Sequence, residues 1–380
     1  MTAEPGAIPK VMRAAVLAEP GAPLIVQEIL TPRPKRGEVL IRVAACGVCH
    51  SDLHVMHGSI PFPTPAVLGH EVSGTVVEVG QDVDRVDMKV GQQVVGAFLM
   101  PCGQCPYCSE GRDDMCTVFF ERNRLKGQAF DGTSRLRSVD GDTLAMYSMA
   151  GLAEYAVVPV TAVAPLPVGI ETVPAAILGC AALTAYGALR RAANLRYGET
   201  VAVVAVGGVG SNLVQLARVF GAREVIAVDI DDEKLAAAER LGATKTVNSR
   251  TTNAREAVLE ATDGRGVDVA FEVLGSAQTF GQALTLIAAG GRMVPVGLGA
   301  AGATAEVEVN QVVRRGLQII GSYGARTRTD LPAVVDLAAR GLLRYRDVVT
   351  RVYPLDEVNV AYEALARGAI TGRAVIAMAI

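Results

Sequence analysis

The residues best able to do chemistry are concentrated between positions 46 and 71. This window holds all four histidines of the chain, two of its seven cysteines and two acids, namely His50, His54, His57, His70, Cys46, Cys49, Asp52 and Glu71. Thiolates and imidazoles are preferred ligands of zinc, and carboxylates commonly orient such ligands. An isolated histidine is usually a structural or surface group. Because all four lie within 21 residues, the window favours a metal centre over a polar loop whose histidines only form hydrogen bonds.

A second group of potential metal ligands has the spacing Cys-x2-Cys-x2-Cys-x7-Cys. Its members are Cys102, Cys105, Cys108 and Cys116. Four thiolates complete a tetrahedron around zinc and leave no position for a substrate, so the spacing predicts a structural zinc lobe over residues 102–116. An iron–sulfur cluster and a nucleic-acid-binding zinc module are the alternatives. The spacing is not that of a ferredoxin, and the acidic neighbours Glu110, Asp113 and Asp114 oppose nucleic-acid binding.

The three remaining cysteines are Cys46, Cys49 and Cys180. Taken alone, Cys46 and Cys49 match a redox Cys-x-x-Cys pair, but the neighbouring histidines and acids favour metal binding. A catalytic zinc has three protein ligands and one exchangeable position. Cys49 and His70 are the natural candidates, and Cys180, at the predicted junction of two domains, would be the third.

A glycine-rich turn predicts a dinucleotide-binding site. The strand-like run 201–206 is followed by Gly207, Gly208, Val209 and Gly210. Gly207 would let the backbone approach a pyrophosphate, and Gly210 would let the following helix pack on the strand. The N-terminal N–H groups of that helix attract phosphates. Ala205 stands at the first glycine of the fingerprint, where a small residue is tolerated if its φ is negative.

The acid that follows this turn indicates which dinucleotide is bound. Asp229 ends the next predicted strand, 19 residues after Gly210. A carboxylate at that place binds both ribose hydroxyls of NAD and repels the extra phosphate of NADP. Residues 230–232 are Ile, Asp and Asp, with no arginine to accept that phosphate. We therefore predict NAD as the cofactor, and we include Val296, on the predicted strand 292–297, among the residues that bind it.

The elements that would position these groups divide into two domains of an α/β protein. Residues 11–167 contain short apolar runs broken by proline and glycine, which is typical of a β-rich domain. Beyond Glu199, strand-like and helix-like runs alternate. The strands are 201–206, 224–229, 245–248, 267–273, 292–297 and 317–321, and the helices are 209–220, 231–241, 253–262 and 276–289. This alternation predicts a six-stranded, parallel, doubly wound sheet. A helix over 329–341, capped by Thr329, follows, and the tail 342–380 would rejoin the first domain.

Composition excludes several classes of function. The chain has 380 residues and a net charge of −3, so it lacks the basic footprint of a nucleic-acid-binding protein or of one that binds an anionic membrane. The N-terminus shows no signal-peptide pattern. The apolar run 172–189 is interrupted by proline and glycine and is better interpreted as a buried helix than as a membrane span. Without a disulfide framework, we expect a soluble, cytoplasmic protein.

Taken in order, these motifs resemble those of the zinc-dependent medium-chain alcohol dehydrogenases over nearly the full length of the chain. The matching pieces are the run from Gly47 to His54, Gly69-His70-Glu71, the four-cysteine lobe, Gly179-Cys180, the glycine turn with Asp229, and Gly372-Arg373. Residues 131–135 are similar to the liver-type branch. The resemblance implies a GroES-like, β-rich catalytic domain from residues 1–181 and 320–380, and an NAD-binding Rossmann domain from residues 182–319.

The same resemblance implies roles for individual residues. Cys49, His70 and Cys180 would bind a catalytic zinc, supported by Asp52 and Glu71. Ser51 and His54 would pass the proton of the zinc-bound alcohol to solvent. The remaining positions are Lys234 at the adenine ribose, Arg373 at the pyrophosphate, and Ile60 and Phe98 in the substrate pocket. His50 stands where liver-type members often carry a pyrophosphate-binding arginine, so its binding of NAD would depend on pH.

The resemblance implies a reversible hydride transfer between an alcohol and NAD that gives an aldehyde or ketone, with two zinc ions per chain. Within the same fold, a glutathione-dependent formaldehyde dehydrogenase or a polyol dehydrogenase is the alternative. Ile60 and Phe120 replace the charged pocket residues typical of the formaldehyde enzymes, although Arg122 and Arg124 lie nearby. A zinc- and NAD-binding protein with a structural or regulatory role is the alternative from another class. The expected partners are the small-molecule substrate and a second copy of the chain in a homodimer, with a homotetramer as the other possibility.

Overall fold

A computed structural model describes residues 7–378. The chain divides into two compact units. Of the described residues, the first contains 7–180, Arg326–Ala339 and 349–378; the second contains Ala181–Ala325 and Arg340–Val348.

The strands of the described residues are, in chain order, β1 Val11–Leu17, β2 Leu24–Leu30, β3 Glu38–Val48, β4 Ala66–Val67, β5 Val72–Val79, β6 Gln93–Gly96, β7 Leu136–Ser138, β8 Thr143–Met146, β9 Tyr155–Pro159, β10 Val163–Pro165, β11 Thr200–Val204, β12 Glu224–Asp229, β13 Lys245–Asn248, β14 Val267–Glu272, β15 Ile287–Pro295, β16 Gln318–Ile319, β17 Val349–Pro354 and β18 Arg373–Ala377.

The α-helices of the same residues are α1 His50–Met56, α2 Pro106–Ser109, α3 Thr172–Ala175, α4 Ala181–Gly187, α5 Gly208–Val219, α6 Asp232–Leu241, α7 Ala254–Ala261, α8 Ala277–Leu286, α9 Val309–Arg315, α10 Thr327–Ala339, α11 Tyr345–Val348 and α12 Val358–Ala366. Short 3₁₀ segments cover Asp113–Met115, Val160–Ala162, Ala176–Gly179 and Leu355–Glu357, and π-helical turns cover Phe119–Arg124 and Ala188–Ala192.

The first unit is built from two mainly antiparallel β-systems, each with one parallel strand pair. Strands β1, β2, β7, β8 and β4 form a closed barrel, and a second sheet has the order β10-β6-β5-β3-β18-β17, with β9 also paired to β3. The C-terminal strand β18 pairs antiparallel with β3, so Ala374 lies opposite Val48. Since β3 leads directly to α1, this pairing brings the last strand of the chain beside the histidine-rich window. The predicted β-rich domain is confirmed.

The second unit is a parallel sheet with the order β13-β12-β11-β14-β15-β16. This is the doubly wound order, in which the order of successive strands reverses beside the first strand, β11, and it confirms the predicted six-stranded sheet. β11 and β12 are almost fully buried, as expected for strands covered on both faces. Two helices of this unit begin at polar capping residues. The side chain of Asp231 accepts hydrogen bonds from the N–H groups of Glu233 and Lys234 at the start of α6, and that of Ser276 accepts one from Thr279 at the start of α8.

Several boundaries differ from the sequence predictions. Helix α8 ends at Leu286 and not at residue 289, because the chain extends into β15 at Ile287. Helix α10 begins at Thr327, so Thr329 lies inside it and is not its cap. Residues 340–348 pack with the second unit, where the Arg344 N–H donates to Gln215 on α5.

The apolar run around residue 180 continues through Thr172–Ala192 as a succession of short helical segments. By length and composition this stretch could cross a membrane, but 78% of its most apolar window is buried inside the fold. Burial on that scale is typical of a core helix in a water-soluble domain.

Candidate active site

Two cysteines, a histidine and a glutamate from three parts of the sequence meet inside the first unit. Each of Cys49, His70, Glu71 and Cys180 offers one ligand atom, and these atoms all lie within 4.8 Å of one another. Cys49 caps α1, His70 and Glu71 precede β5, and Cys180 ends the 3₁₀ turn Ala176–Gly179. All four side chains are buried. The structure therefore brings together the three predicted ligands and places Glu71 in the same group.

Asp52 determines which nitrogen of His70 faces this group. The Asp52 Oδ1 atom is 3.1 Å from His70 Nδ1 and also accepts the N–H of Gly69 at 3.1 Å. This contact assigns the ring proton to Nδ1 and leaves the lone pair of Nε2 for a metal. The second oxygen of Asp52 accepts a hydrogen bond from the hydroxyl of Tyr362 at 2.9 Å. Sequence reasoning missed Tyr362, because nothing local distinguishes a tyrosine in an amphipathic helix 310 residues away.

Glu71 is held by an arginine from the C-terminal strand. Arg373 Nη2 donates to Glu71 Oε1 at 2.5 Å and lies 3.6 Å from Cys49 Sγ. Gly47 makes room for the carboxylate, since a Cβ there would lie 2.1 Å from Glu71 Oε2. Burial raises the pKa of Glu71 to about 7, although the charge of Arg373 opposes this rise. Arg373, predicted at a pyrophosphate, thus contacts the ligand group, and its cofactor contact stays a prediction.

One thiol of the ligand group has a lowered pKa. The hydrogen bond from Cys180, together with the charges of Arg373 and His70, outweighs burial and lowers the pKa of Cys49 well below that of an ordinary thiol. The same bond raises the pKa of Cys180. Cys49 is therefore the thiolate of the pair, and the thiolate is the form that binds metals.

The donor set fits zinc. Two sulfurs, an imidazole nitrogen and a carboxylate are all zinc ligands, and tetrahedral ligands about 2.0–2.3 Å from zinc lie roughly 3.3–3.8 Å apart, within the observed limit of 4.8 Å. The thiolate of Cys49 and the carboxyl groups of Asp52 and Glu71 are buried together with one arginine, Arg373. Buried charge that is not neutralised is costly. Among the described protein atoms, Glu71 Oε2 is buried without a hydrogen-bond partner, so a cation would complete this site.

The second cysteine group also has the geometry of a zinc site. The ligand atoms of Cys102, Cys105, Cys108 and Cys116 lie within 4.8 Å of one another, and Cys105 Sγ is 3.9 Å from Cys116 Sγ. Backbone N–H groups point at these sulfurs, including that of Cys105 to Cys102 Sγ at 3.3 Å and that of Phe119 to Cys116 Sγ at 3.4 Å. Such donors stabilise thiolates. All four positions are taken by cysteine, so this group fits a closed, structural site.

An ion pair fastens this lobe to the C-terminal part of the first unit. The buried carboxylate of Asp113 accepts one hydrogen bond from the backbone N–H of Arg328 and one from its guanidinium Nε, each at 2.9 Å. The guanidinium also donates to the carbonyl of Cys108. Arg328 lies on α10 and so places a positive charge beside a lobe of four thiolates, where it offsets their negative charge.

The residues predicted to move a proton lie on one short helix. Ser51 and His54 are three residues apart on α1 and therefore share a face. Ser51 Oγ lies 3.8 Å from Cys49 Sγ, next to the ligand group. His54 is partly exposed and His50 is exposed, so both reach solvent, and His57 caps the C-terminal end of the helix. The proton-relay and cofactor roles of these residues stay predictions.

Aromatic rings surround His70. The ring of Phe98 is 6.1 Å and that of Tyr147 is 5.7 Å from the imidazole, both edge-on. Phe62 packs edge-on against Tyr147 at 5.0 Å. Phe98 thus lies beside the ligand group, and its place in a substrate pocket stays a prediction, whereas Tyr147 and Phe62 were not identified from the sequence. Ile60 is partly exposed and joins α1 through its N–H to the carbonyl of His54.

The glycine turn of the second unit has one unexpected feature. Gly207 caps α5, and a Cβ added there would meet no atom within 4 Å, which leaves the open space that a ligand requires. A Cβ on Gly210 would lie 2.2 Å from the carbonyl oxygen of Ala205, so only glycine permits this packing of helix on strand. The expectation of a negative φ at Ala205 is wrong, because its φ is +73°. This alanine keeps the left-handed backbone of the glycine that it replaces, at a cost of about 1–2 kcal/mol.

Replacing Ala205 with glycine should therefore stabilise the protein. Removing the Cβ relieves the left-handed strain, while the greater freedom of glycine in the unfolded chain opposes this gain, for a net increase of about 0.5–1 kcal/mol in the free energy of unfolding. Urea unfolding of both proteins measures the difference. Ala227→Gly, in the middle of β12, is the matched control and should destabilise. A lower unfolding midpoint for Ala205→Gly would contradict the strain.

Asp229 is anchored by backbone groups. Its Oδ2 accepts the N–H of Val206 at 2.8 Å, and its Oδ1 accepts that of Ile230 at 2.7 Å. The carboxylate is thereby fixed at the end of β12, beside the glycine turn. Gly208 and Val209 form the first turn of α5, Lys234 lies in the first turn of α6, and the N–H of Val296 donates to Glu272 where β15 ends. These positions face the carboxyl ends of the strands, where doubly wound sheets bind ligands.

Comparison with known proteins agrees with this architecture. A family model described as an alcohol dehydrogenase GroES-like domain matches residues 35–168, and one described as a zinc-binding dehydrogenase matches residues 208–340. The chain is 35% identical to an alcohol dehydrogenase of Geobacillus stearothermophilus, covering 96% of this chain and 98% of the other. It is 34% identical to an S-(hydroxymethyl)glutathione dehydrogenase of Synechocystis sp., covering 94% and 97%.

A solved structure shares the fold. The benzyl alcohol dehydrogenase of Acinetobacter calcoaceticus superimposes with a TM-score of 0.90 at 31% identity, covering 98% of this chain and all (100%) of that one. The predicted GroES-like and Rossmann folds are thus confirmed. Sequence, fold and the two cysteine-containing groups agree, and the chain belongs to the zinc-dependent medium-chain alcohol dehydrogenase family.

Proposed function

We propose that this protein is an NAD-dependent alcohol dehydrogenase that carries two zinc ions per chain. The observation that carries the proposal is the buried group of Cys49, His70, Glu71 and Cys180. In this assignment the first unit is the catalytic domain, the second is the NAD-binding domain, and the four-cysteine lobe is structural. The reaction is the reversible oxidation of an alcohol to an aldehyde or ketone.

The residues of the first unit provide the proton chemistry. When bound, zinc supplies a Lewis acid that lowers the pKa of the alcohol, and NAD supplies the hydride acceptor. Ser51, beside Cys49, accepts the hydroxyl proton of the substrate, and His54, which reaches solvent, carries it away. Asp52 holds His70, and Arg373 balances the charge of Glu71. The buried surroundings exclude water from the reacting carbon.

The second unit provides NAD binding. The N–H groups at the start of α5 hold the pyrophosphate, and Asp229 accepts the ribose hydroxyls while repelling a ribose phosphate. Lys234 and Val296 contact the cofactor from α6 and from the end of β15. His50 and Arg373 are proposed as further cofactor-binding residues.

Aromatic neighbours of the site favour an apolar alcohol. Phe98 and Tyr147 stand against His70, and Phe62 extends this wall. Ile60 completes the pocket. Flat, apolar substrates such as benzyl alcohol gain most from such a surface. A glutathione adduct is the second candidate, because the guanidinium of Arg124 lies 4.3 Å from the centre of the Tyr147 ring and could bind a carboxylate.

Turnover of a substrate panel with NAD tests these proposals. Hexanol, benzyl alcohol, sorbitol and S-(hydroxymethyl)glutathione are compared by the absorbance of the reduced nicotinamide. We expect the highest kcat/KM with benzyl alcohol and little change with Arg124→Ala. Preference for the glutathione adduct, lost in Arg124→Ala, would identify the formaldehyde enzyme. An absence of turnover with all four, despite two bound zinc ions and NAD, would favour a structural or regulatory role.

We also propose that the protein is a homodimer. Val309 and Val313, one turn apart on α9, are each 72% exposed, and Ile319 on the edge strand β16 is 40% exposed. An apolar stripe beside an unprotected strand edge is a surface that favours association. Light scattering should give twice the monomer mass for the protein and a monomer for Val313→Glu, while the control Val86→Glu, changed at another exposed valine, stays dimeric. A monomeric unmodified protein would contradict this assignment.

We propose a cytoplasmic location, which the free thiols support. All seven cysteines are free of disulfides, and both ligand groups require reduced sulfur. Thiol titration of protein taken from its native cell should find every cysteine reduced or bound to zinc. A disulfide among them would contradict the location.

A further inference from the structure

Both oxygens of the Asp52 carboxylate accept hydrogen bonds, and one of the donors is more than 300 residues away in the sequence. Oδ1 accepts the N–H of Gly69 and the Nδ1–H of His70, and Oδ2 accepts the hydroxyl of Tyr362 at 2.9 Å. Asp52 is 0% and Tyr362 1% exposed, so water does not reach these bonds. The three donors fix the plane of the carboxylate.

We propose that Tyr362 is a positioning residue for the catalytic zinc, an inference that rests on the zinc site proposed above. The hydroxyl of Tyr362 fixes Asp52, and Asp52 fixes the imidazole of His70. The lone pair of Nε2 is thereby directed at the ligand group, next to Cys49 and Cys180. Tyr362 acts on the ligand group through its hydrogen bond to Asp52.

The physical argument concerns the second oxygen of the carboxylate. Without the tyrosine hydroxyl, Oδ2 would be a buried charged atom without a donor, which is more costly than losing the bond alone. The carboxylate would relieve this cost by rotating toward another donor, and rotation takes Oδ1 away from His70 and Gly69. An imidazole without this support binds zinc less firmly, typically by about 10–100-fold.

The alternative is that Tyr362 only fills space in α12. Tyr362→Phe distinguishes the positioning role from the packing role, because it keeps the ring and removes the hydroxyl. Tyr345→Phe is the matched control, since Tyr345 is a buried tyrosine (2% exposed) of the second unit and has no part in the ligand group. Zinc release from the holoenzyme to a chromogenic chelator is followed without substrate or NAD.

For the unmodified protein we expect two zinc ions that are released in separate phases, one for each cysteine-containing group. Tyr362→Phe should release the zinc of the Cys49 group about tenfold faster, with the phase of the four-cysteine lobe unchanged. When cobalt(II) replaces zinc in the Cys49 group, its visible absorption bands should shift in Tyr362→Phe, because the His70 ligand is reoriented. Tyr345→Phe should match the unmodified protein in both measurements. In turnover assays, kcat should fall while the KM for NAD stays unchanged.

Two results would overturn the inference while leaving the proposed function intact. One is a zinc release rate and a cobalt spectrum of Tyr362→Phe that equal those of the unmodified protein. The other is an equal acceleration of both zinc phases together with a lower melting temperature, which would assign Tyr362 a purely structural role. If the unmodified protein holds only the zinc of the four-cysteine lobe, the proposed function and this inference both fail.

Discussion

Replacing Cys49 with serine should abolish alcohol oxidation and leave the protein folded. The substitution removes the thiolate whose pKa is lowered by Cys180, Arg373 and His70, and a serine hydroxyl is a poor zinc ligand at neutral pH. Loss of the Lewis acid removes several kcal/mol of transition-state stabilisation, so we expect kcat/KM to fall by at least about 1,000-fold. Metal analysis should show one zinc per chain in place of two.

Cys46→Ser is the control for this experiment. Cys46 is a completely buried thiol three residues away, on β3, and it is outside both ligand groups. Cys46→Ser should retain two zinc ions and most of the activity. Circular dichroism compares the folds. Retained turnover in Cys49→Ser, with two zinc ions still bound, would refute the assignment of Cys49 as a ligand.

Changes at Asp229 should alter which cofactor the protein prefers. Asp229→Asn keeps an oxygen to accept the N–H of Val206 but removes the negative charge and one acceptor for the ribose. We expect kcat/KM with NAD to fall about 10–100-fold, the effect of losing a charge-assisted hydrogen bond. With NADP it should rise, because the repulsion of the ribose phosphate is removed. The ratio of the two kcat/KM values measures the preference.

Asp229→Gly also tests how Asp229 anchors the neighbouring backbone. It removes every acceptor at this position, so the N–H groups of Val206, Ile230 and Asp231 lose their partner. We expect a further loss of NAD binding and a lower melting temperature for Asp229→Gly than for Asp229→Asn. An unchanged preference for NAD over NADP in both variants would count against the role assigned to Asp229.

Local patterns explain why much of this protein was predictable. The lobe cysteines lie within 15 residues of sequence, so their spacing alone indicates a closed tetrahedral site. The six strands of the second unit are apolar runs separated by helices, and this alternation determines a parallel sheet. Gly210 was assigned to close packing from its place in the turn, and its missing Cβ leaves room for the carbonyl of Ala205.

Features that depend on tertiary contacts were not predictable in the same way. Tyr362 and Arg373 approach the ligand group only because β18 pairs with β3 and α12 packs near α1. The φ of Ala205 is set by the strand and helix that it joins, which override the preference of alanine for a negative φ. The aromatic wall of Tyr147 and Phe62 is likewise a product of packing. No periodicity in the sequence indicates which rings meet.

The position of β18 has a consequence for how the enzyme is made. All three proposed ligands of the catalytic zinc are synthesised by residue 180, but the tyrosine that holds Asp52 and the arginine that balances Glu71 follow only at positions 362 and 373. Strand β18 lies inside its sheet, between β3 and β17, so that sheet is completed only after residues 373–377 have been synthesised. Domains fold as they emerge, and the second unit, whose last residue is Val348, has been synthesised by then. The supports of the catalytic centre are therefore added after the second unit, and a chain terminated before β18 would lack them.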